Sequence, residues 1–386
     1  MTLPPYWKIR REWLRFGRTL KSAPRVTWTY LFNTLYYDLI LSRKRIGYDG
    51  HLPWTDRIAI FVIFPSQGLL ETHLDTVRHL AQNGYTAVVV SNLPLSKTDR
   101  EQLLEACSCY IERPNFGYDF GAYRDGVLSI QGRLDQLKRL VLINDSAWYP
   151  LPGKRNWVRE AEDMGHDLVG ATSNYGRPRR KSADIMEMEL DHSLDHRNFH
   201  FASYALSFGP DVITHAQFLA YWKKLRLDND KKRVVRRGEI GLSQWILRNG
   251  FSHKCMFETN ELENTLNTLS DERLEALVQN IILLEHERAM SVKKGLLETP
   301  PAPQDRRSVY TRFILAATSL QGASYALADL LITEKEFPFL KKSPLRLSRD
   351  GADATLRILA KEPKPDLEVI TQEALAIYAA SSPSEN

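Results

Sequence analysis

The stretch Arg113–Tyr123, RPNFGYDFGAY, decides the fold class of this chain together with Leu142–Ser146, LINDS. The first stretch is a polar loop interrupted by Gly117 and Gly121, and it predicts the start of a helix. The second stretch places small polar side chains, one of them anionic, at the end of an apolar strand. Together they predict a crevice at the carboxyl edge of a parallel sheet, where open α/β folds bind ligands.

Apolar runs and helical periodicity alternate around these two stretches. The sequence predicts strands over 57–64, 85–91, 108–111, 138–143, 167–171 and 201–208, and helices over 71–83, 98–106, 119–134, 216–225, 237–249, 261–295 and 308–333. The last of these helices is interrupted by polar residues and Gly322. The alternation predicts βαβ units, and therefore an α/β fold with a mostly parallel sheet flanked by helices. The C-terminal region is predicted to be helical.

The length and composition are those of a globular protein. The chain has 386 residues, of which 43% are hydrophobic and 26% are charged. We expect a basic, aromatic segment over 1–50, an α/β domain over 51–260, a helical region over 261–362 and a flexible tail over 363–386.

The three cysteines, Cys107, Cys109 and Cys255, do not form a disulfide framework, because the set is odd and sparse. Their use favours a reducing, cytoplasmic setting. No apolar segment with a small-residue cleavage site follows the basic N-terminus, so a signal peptide is not predicted.

The positive charge belongs to the N-terminal segment. Ten basic and three acidic side chains lie in residues 1–50, which therefore carry +7, while the remainder carries −2 of the overall +5. This distribution argues against a nucleic-acid-coating surface and favours a local anionic partner. A basic, aromatic, amphipathic segment is typical of contact with a membrane surface. The alternative is a helix that packs on the body of the protein.

The polar loop offers groups that can contact a phosphate and a sugar or a base. Gly117 and Gly121 let the backbone approach a ligand closely, and the following helix N-terminus favours phosphate. Asn115 and Asp119 can accept hydrogen bonds from a sugar or a base. The alternative is a tight strand-to-helix turn capped by Asn and Asp.

The tripeptide Asn144-Asp145-Ser146 follows an apolar strand. A carboxylate in this position can hold Mg²⁺ or Mn²⁺, which would neutralise a diphosphate. The metal interpretation is weakened because Asp145 is a single carboxylate, and the alternative is a turn at the strand end.

These motifs, in this order and spacing, resemble the rhamnan synthesis protein F family of polysaccharide glycosyltransferases. The resemblance spans roughly residues 55–345 and continues through 171–173 (ATS), 200–204 (HFASY), 239–243 (EIGLS) and, more weakly, 337–342 (FPFLKK). It implies a GT-A type, Rossmann-like fold and the transfer of a sugar to a glycan on a lipid carrier. The donor implied is dTDP-rhamnose, and the place is the inner face of the cytoplasmic membrane.

The resemblance also implies roles for single residues. Glu239 would be the base that deprotonates the acceptor hydroxyl in an inverting reaction, although a glutamate there also suits the positive end of a helix. His200 and Ser203 would contact the acceptor. Asn144, Asp145 and Ser146 would face the donor.

One departure from the GT-A pattern concerns the metal. An Asp-x-Asp pair is common after this strand, whereas here Asn144 and Ser146 have that spacing and Asp145 lies between them. The sequence therefore leaves open whether a divalent cation binds here. Arg124 or backbone N–H groups are the alternative partners for the diphosphate. Two other functions stay open as well: a nucleotidyltransferase, and a non-catalytic glycan-binding scaffold.

Overall fold

The computed structural model describes residues 32–176, 185–284, 286–362 and 367–381. Its strands are β1 (Ile46–Asp49), β2 (Arg57–Ile63), β3 (Thr86–Ser91), β4 (Cys109–Glu112), β5 (Arg139–Asn144), β6 (Ala147–Trp148), β7 (Leu168–Asn174), β8 (His200–Phe201), β9 (Ala205–Phe208), β10 (His253–Phe257) and β11 (Leu340–Lys341). All except β6 and β11 belong to one sheet, and those two form a separate antiparallel pair.

The sheet has the order β1-β4-β3-β2-β5-β9-β7-β10, with β8 beside β7. Strands β4, β3, β2 and β5 run parallel, as do β7 and β10. Strand β9 runs antiparallel between β5 and β7, and β1 is an antiparallel edge. The predicted α/β fold with a mostly parallel sheet is confirmed.

Helices cover both faces of the sheet because the central strands are apolar on both sides. In the first two thirds of the described chain they are α1 (Glu71–Gln82), α2 (Lys97–Ala106), α3 (Tyr118–Ser129), α4 (Trp157–Asp163), α5 (Pro210–Ile213), α6 (Ala216–Lys224), α7 (Lys231–Val234) and α8 (Ile240–Arg248). The π-helical turn Val235–Glu239 joins α7 to α8. Alternate residues of β2 enter two separate cores, one with α1 and the other with α3, α6 and α8.

The predicted C-terminal helical region is present. It consists of α9 (Leu262–Asn267), α10 (Asp271–Asn280), α11 (Glu287–Glu298), α12 (Pro303–Gln321), α13 (Ala323–Ala326), α14 (Ala328–Glu334), α15 (Pro344–Leu347), α16 (Arg349–Lys361) and α17 (Glu368–Ser381). Several of these helices bury side chains in the same core as one face of the sheet, among them Leu274, Phe313 and Leu330. The helical region is therefore packed on the α/β body rather than joined to it by a linker.

Two sequence expectations need correction in this region. The helix predicted from residue 308 begins earlier, at Pro303, while its interruption lies at Gly322 as predicted, where a φ of 87° is favoured by glycine. Residues 368–381, predicted to be flexible, form α17 because Ile370, Ala374 and Ile377 recur on one face and are buried. Residues 363–366 and 382–386 of that predicted tail lie outside the described residues.

The strand predicted over 201–208 is also wrong as a single element. It divides into β8, which pairs with β7, and β9, which lies between β5 and β7. The turn between them leaves the Ser203 N–H outside the sheet, where it can bond to another part of the chain. Of the segment predicted over 1–50, residues 1–31 lie outside the described part, and residues 46–49 form β1.

The buried guanidinium of Arg113 holds the polar loop against the sheet. Its Nε donates to Asp125 Oδ2 at 2.7 Å, and Nη2 donates to the Phe116 carbonyl at 2.7 Å. Nη1 donates to Asn92 Oδ1, just beyond β3. The Tyr37 hydroxyl also donates to Asp125, so residues 32–41 are tied to the same group.

We predict that Asp125→Ala lowers the free energy of unfolding by about 3–5 kcal/mol, because it leaves the Arg113 charge buried without a carboxylate. Urea denaturation measures the loss. The control is Glu101→Ala, which removes an exposed pair with Lys97 and should cost no more than about 0.5 kcal/mol. Equal losses in the two variants would contradict a central role for the Arg113 network.

Candidate functional site

The two motifs quoted from the sequence meet at the carboxyl edge of the sheet. The Asn144 side-chain amide donates to Asp119 Oδ2 at 3.0 Å, and Asn144 Oδ1 accepts from the N–H and the hydroxyl of Ser146 at 3.1 and 2.5 Å. The backbone N–H of Ser146 can only donate, so the orientation of the amide is fixed. Asn144 therefore joins the N-terminal turn of α3 to the end of β5.

Asp119 is the acid whose ionisation is most disfavoured at this junction. The pKa of Asp119 is raised to about 6, chiefly by burial and also by the carboxylates of Asp145 and Glu239, while Lys341 opposes the rise. A group with a pKa near 6 can exchange a proton near neutral pH.

Asp145 is held in its ionised form by its neighbours. Its Oδ2 accepts the Phe64 N–H at 2.7 Å and lies 3.4 Å from His73 Nε2. The Leu70 N–H donates to His73 Nδ1, so the ring proton is on Nε2 and points to the carboxylate. Burial raises the pKa of Asp145, but the hydrogen bond and charge of His73, together with Lys342, outweigh it and leave the pKa below its usual value.

Lys341 brings a buried cation to the same edge. Its Nζ donates to Ser146 Oγ at 2.9 Å and lies 3.7 Å from the centre of the Tyr204 ring. Within the described ranges, no carboxylate oxygen lies within 4.0 Å of this ammonium group. Burial lowers the pKa of Lys341 to about 7, although Asp119, Glu239 and Asp145 oppose the fall.

Glu239 ends the π-helical turn between α7 and α8. π-Turns within helices are frequent at functional sites. The carboxylate accepts the Ser203 N–H at 2.7 Å through Oε1, and Oε2 lies 3.8 Å from His200 Nε2. The charge of Glu239 raises the pKa of Asp119 and of Lys341, so Glu239 interacts electrostatically with both groups.

The hydrogen bonds of His200 leave Glu239 Oε2 able to accept a proton. The Asn198 carbonyl can only accept, so His200 Nδ1 donates to it at 2.8 Å and carries the ring proton. His200 Nε2 then accepts from the Asn174 amide at 3.2 Å. A neutral His200 in this tautomer gives Glu239 no hydrogen bond.

A cavity of about 230 Å³ lies on the other side of Asp145. It is bounded by the loop after β2, by α1 and by the C-terminal helices α15 and α17. Its lining includes Phe64, His73, Asp145, Lys342, Arg346 and Glu373. Lys342 Nζ donates to Glu373 Oε1 at 2.8 Å, so this lysine has a carboxylate partner.

Several predicted donor residues have structural roles. The Gly117 N–H donates to Asn229 Oδ1 at 2.8 Å and is already satisfied. Gly121 must lack a side chain, because a Cβ there would lie 2.3 Å from the Phe116 carbonyl oxygen. Asn115 is exposed on the loop.

Arg124 does not join the acidic groups at the sheet edge. Its guanidinium forms a two-pronged ion pair with Asp38, at 2.6 and 3.0 Å, and Nε donates to the Trp222 carbonyl. These contacts of Arg124 hold residues 32–41 and α6 against α3. They do not support its predicted role as a partner for the diphosphate of a sugar donor.

Sequence reasoning missed three residues of the site. His73 carried no motif, because a histidine in a helical first turn is common and its partner Asp145 is remote in sequence. Lys341 and Lys342 lie in the run FPFLKK, which matches no catalytic motif and belongs to the weaker, C-terminal part of the resemblance. The charged pair after an apolar strand was the signal that could have marked them.

The donor set around Asp145 is a poor fit for a divalent cation, which takes several oxygen ligands. Asp145 Oδ2 is already engaged, and Asn144 Oδ1 accepts two hydrogen bonds from Ser146. The described ranges contain no group of three or more Asp, Glu, His or Cys side chains arranged to hold a metal. A lysine ammonium lies instead against Ser146.

The structure is an α/β protein with charged side chains gathered at the carboxyl edge of its sheet. The model of the rhamnan synthesis protein F family matches residues 87–294. That is more than half of the chain, and the chain belongs to this family.

Two curated relatives show the extent of sequence similarity. The uncharacterized protein y4gN of Sinorhizobium fredii is 32% identical over 255 residues, which are 66% of this chain and 62% of that protein. The virulence protein VirA of Vibrio anguillarum is 41% identical over 96 residues, 24% of this chain and 30% of that protein. The chain thus spans less than two thirds of the length of these relatives.

Three solved structures show a distant similarity to this chain. The mannosyltransferase PcManGT of Pyrobaculum calidifontis, in complex with GDP-Man and Mn²⁺, is 14% identical over 93% of this chain and 96% of that one, with a TM-score of 0.30. Core-mannan synthase A of Aspergillus fumigatus, in its Mn/GDP form, is 15% identical over 46% and 65%, with a TM-score of 0.26. TarS of S. aureus is 10% identical over 84% and 88%, with a TM-score of 0.25.

No helix in the described part of the chain combines the length and apolar character that a membrane span requires.

We predict that Lys341 makes stability depend on alkaline pH. The folded pKa of about 7 lies below the ordinary 10.5, so the cost of the buried charge is full below pH 7 and is lost as pH rises towards 10.5. Compared with Lys341→Met, the wild-type protein should gain stability over this range, at a slope approaching about 1.4 kcal/mol per pH unit.

Urea unfolding of both proteins at several pH values between 7 and 9.5 measures the difference. Using the difference between two proteins cancels the titration of other groups. A difference that does not change with pH would show that Lys341 is not a buried charge in the folded protein.

Proposed function

We propose that this chain is an inverting glycosyltransferase that moves a sugar from a nucleotide-sugar donor to an acceptor hydroxyl in polysaccharide synthesis. Membership of the rhamnan synthesis protein F family supports polysaccharide synthesis. The observation that carries the proposal is the position of Glu239: its carboxylate is held by the Ser203 N–H, and it shares an electrostatic field with Asp119 and Lys341 at the end of β5.

The proposed reaction is a single displacement at the anomeric carbon of the donor sugar. The acceptor oxygen forms a bond to this carbon while the bond from the carbon to the phosphate oxygen breaks, and the electron pair leaves with the nucleoside diphosphate. The acceptor proton passes to Glu239 Oε2, the oxygen that receives no hydrogen bond from a neutral His200. Attack from the face opposite the leaving group inverts the configuration.

The remaining site residues have positioning roles in this proposal. Asn144 holds Asp119 beside the donor by a hydrogen bond of 3.0 Å, and Asp119 accepts from the donor's hydroxyl groups. His200 and Ser203 lie beside the base, on the acceptor side. The specific donor we propose is dTDP-rhamnose, and the acceptor is a lipid-linked glycan.

A screen of nucleotide-sugars with the purified chain tests the proposal. Release of the nucleoside diphosphate together with a glycosylated acceptor supports transfer. Release of pyrophosphate would instead identify a nucleotidyltransferase. Saturable glycan binding without turnover would identify a scaffold.

We predict that Glu239→Gln lowers kcat about 100- to 10,000-fold while the KM for the donor stays close to the wild-type value, since the amide cannot accept the acceptor proton. Initial rates under saturating acceptor measure both constants. The control is Glu258→Gln, because Glu258 also accepts a backbone N–H, from Cys255 at 2.6 Å. If Glu239→Gln keeps wild-type kcat, another group is the base.

We propose that the enzyme works at the membrane surface, on the side that carries the donor. The helical residues 32–41 support this, because Leu35, Leu39 and Ile40 are at least half exposed. The exposed Arg43 and Lys44 follow directly, which suits an anionic lipid surface. Tyr37, on the opposite side, is fully buried against the body.

The combined variant Leu35→Glu, Leu39→Glu and Ile40→Glu should reduce sedimentation with phosphatidylglycerol-containing vesicles at least about tenfold, because each apolar side chain contributes on the order of 1 kcal/mol. Substitution is preferable to deletion of residues 1–50, since Tyr37 and Asp38 hold Asp125 and Arg124. The control places glutamate at Leu347, Val369 and Leu375, which are exposed elsewhere. Equal sedimentation of both variants and wild type would disprove the contact.

A further inference from the structure

The ammonium group of Lys341 is a buried charge that has no opposite charge in contact among the described residues. The residue is 7% exposed, and the one hydrogen-bond acceptor of its ammonium group within the described residues is Ser146 Oγ. An ammonium group has three N–H donors. Burying a charge without a paired partner costs several kcal/mol, so such a group is typical of a site that receives an anion.

Another buried lysine shows the contrast. Lys293 is also buried, but its Nζ donates to Asp350 Oδ2 at 2.7 Å and to the Ile281 carbonyl at 2.8 Å. The adjacent Lys342 is paired with Glu373 at 2.8 Å. Lys341 therefore differs from both lysines in having a hydroxyl group, and no carboxylate, as its hydrogen-bond partner among the described residues.

The position of Lys341 is set by the backbone. Strand β11 pairs antiparallel with β6, which places Lys341 opposite Ala147 and Leu340 opposite Trp148. The Lys342 N–H donates to the Ser146 carbonyl at 3.0 Å, so the ladder extends to the residue after Asp145. The cation is thus fixed next to the tripeptide that ends β5.

We propose that Lys341 takes the place of a divalent cation and binds the diphosphate of the nucleotide-sugar donor, so that donor binding needs no metal. This inference rests on the proposed function, because it assigns the donor's diphosphate to that site. The poor fit of Asn144, Asp145 and Ser146 to a metal is its second support.

The contacts of Lys341 leave it suited to this role. Ser146 Oγ takes one of its three donors, and the Tyr204 ring lies 3.7 Å from Nζ, where a cation–π contact holds the ammonium group without neutralising it. Phosphate oxygens supply the remaining acceptors. When the bond from sugar to phosphate breaks, the electron pair stays on the phosphate oxygen, and the protonated Lys341 stabilises it.

Binding of nucleoside diphosphates by isothermal titration calorimetry tests the inference. The probes are UDP, GDP and dTDP, each with the matching nucleoside, in excess EDTA and in MnCl₂. We expect at least one diphosphate to bind in EDTA within about threefold of its affinity in MnCl₂, since the cation is part of the chain. Lys341→Met should weaken that binding about 10- to 100-fold, the effect of one charge-assisted hydrogen bond.

Two further variants keep the test independent of folding. Lys341→Arg retains the charge and should bind the diphosphate more tightly than Lys341→Met. Lys293→Met removes the buried lysine of α11 that is paired with Asp350, and it should leave the diphosphate affinity unchanged. Nucleoside affinity should be the same in wild type and Lys341→Met, which would show that the pocket is intact.

Three results would overturn the inference: diphosphate binding that is abolished by EDTA and restored by Mn²⁺, Lys341→Met binding as tightly as wild type, or no diphosphate binding at all. Sugar transfer that requires Mn²⁺ and survives Lys341→Met would overturn it and leave the proposed function standing. Metal-free, Lys341-dependent binding without any sugar transfer would support the inference and refute the proposed function.

Discussion

The buried guanidinium of Arg113 is the group on which the arrangement of this molecule depends. It leaves β4 and reaches three other parts of the chain: Asn92 after β3, the Phe116 carbonyl within the loop, and Asp125 in α3. Because each donor of a planar guanidinium has a fixed direction, these contacts set the angle at which α3 leaves the sheet. That angle brings Asp119 to the end of β5, where the Asn144 amide meets it.

The elements close to the quoted motifs could be predicted from sequence, because their pattern is local. Strand β2 and helix α1 follow directly from an apolar run and a helical period. The division of residues 201–208 into β8 and β9 could not be predicted, since an apolar run does not record which neighbours it pairs with. Helix α17 was missed for a related reason: small residues such as Ala374 give little periodic signal, although they pack closely.

The part of the candidate site that lies next to recognisable strands and helices could also be predicted, because its pattern is local. Asn144, Asp145 and Asp119 follow strands or open a helix, and the carboxyl edge of a parallel sheet collects such positions. Lys341 and His73 reach the site through tertiary contacts, and Arg124 leaves it through a bidentate pair with Asp38. Charge type alone does not tell whether an arginine faces a ligand or its own chain. For Arg124 the role depends on its ion-pair partner Asp38, which lies more than eighty residues away in the sequence.

The pairing of β11 with β6 has a consequence for the order in which the site is assembled. The carboxylates of Asp119, Asp145 and Glu239 all precede residue 240, whereas the lysine between them comes from residue 341. During synthesis the ribosome therefore releases the acidic half of the crevice about one hundred residues before the cation, at rates of about 5–20 residues per second. For several seconds the nascent chain carries these carboxylates without the ammonium group of Lys341, which β11, the last strand of the described residues, then supplies.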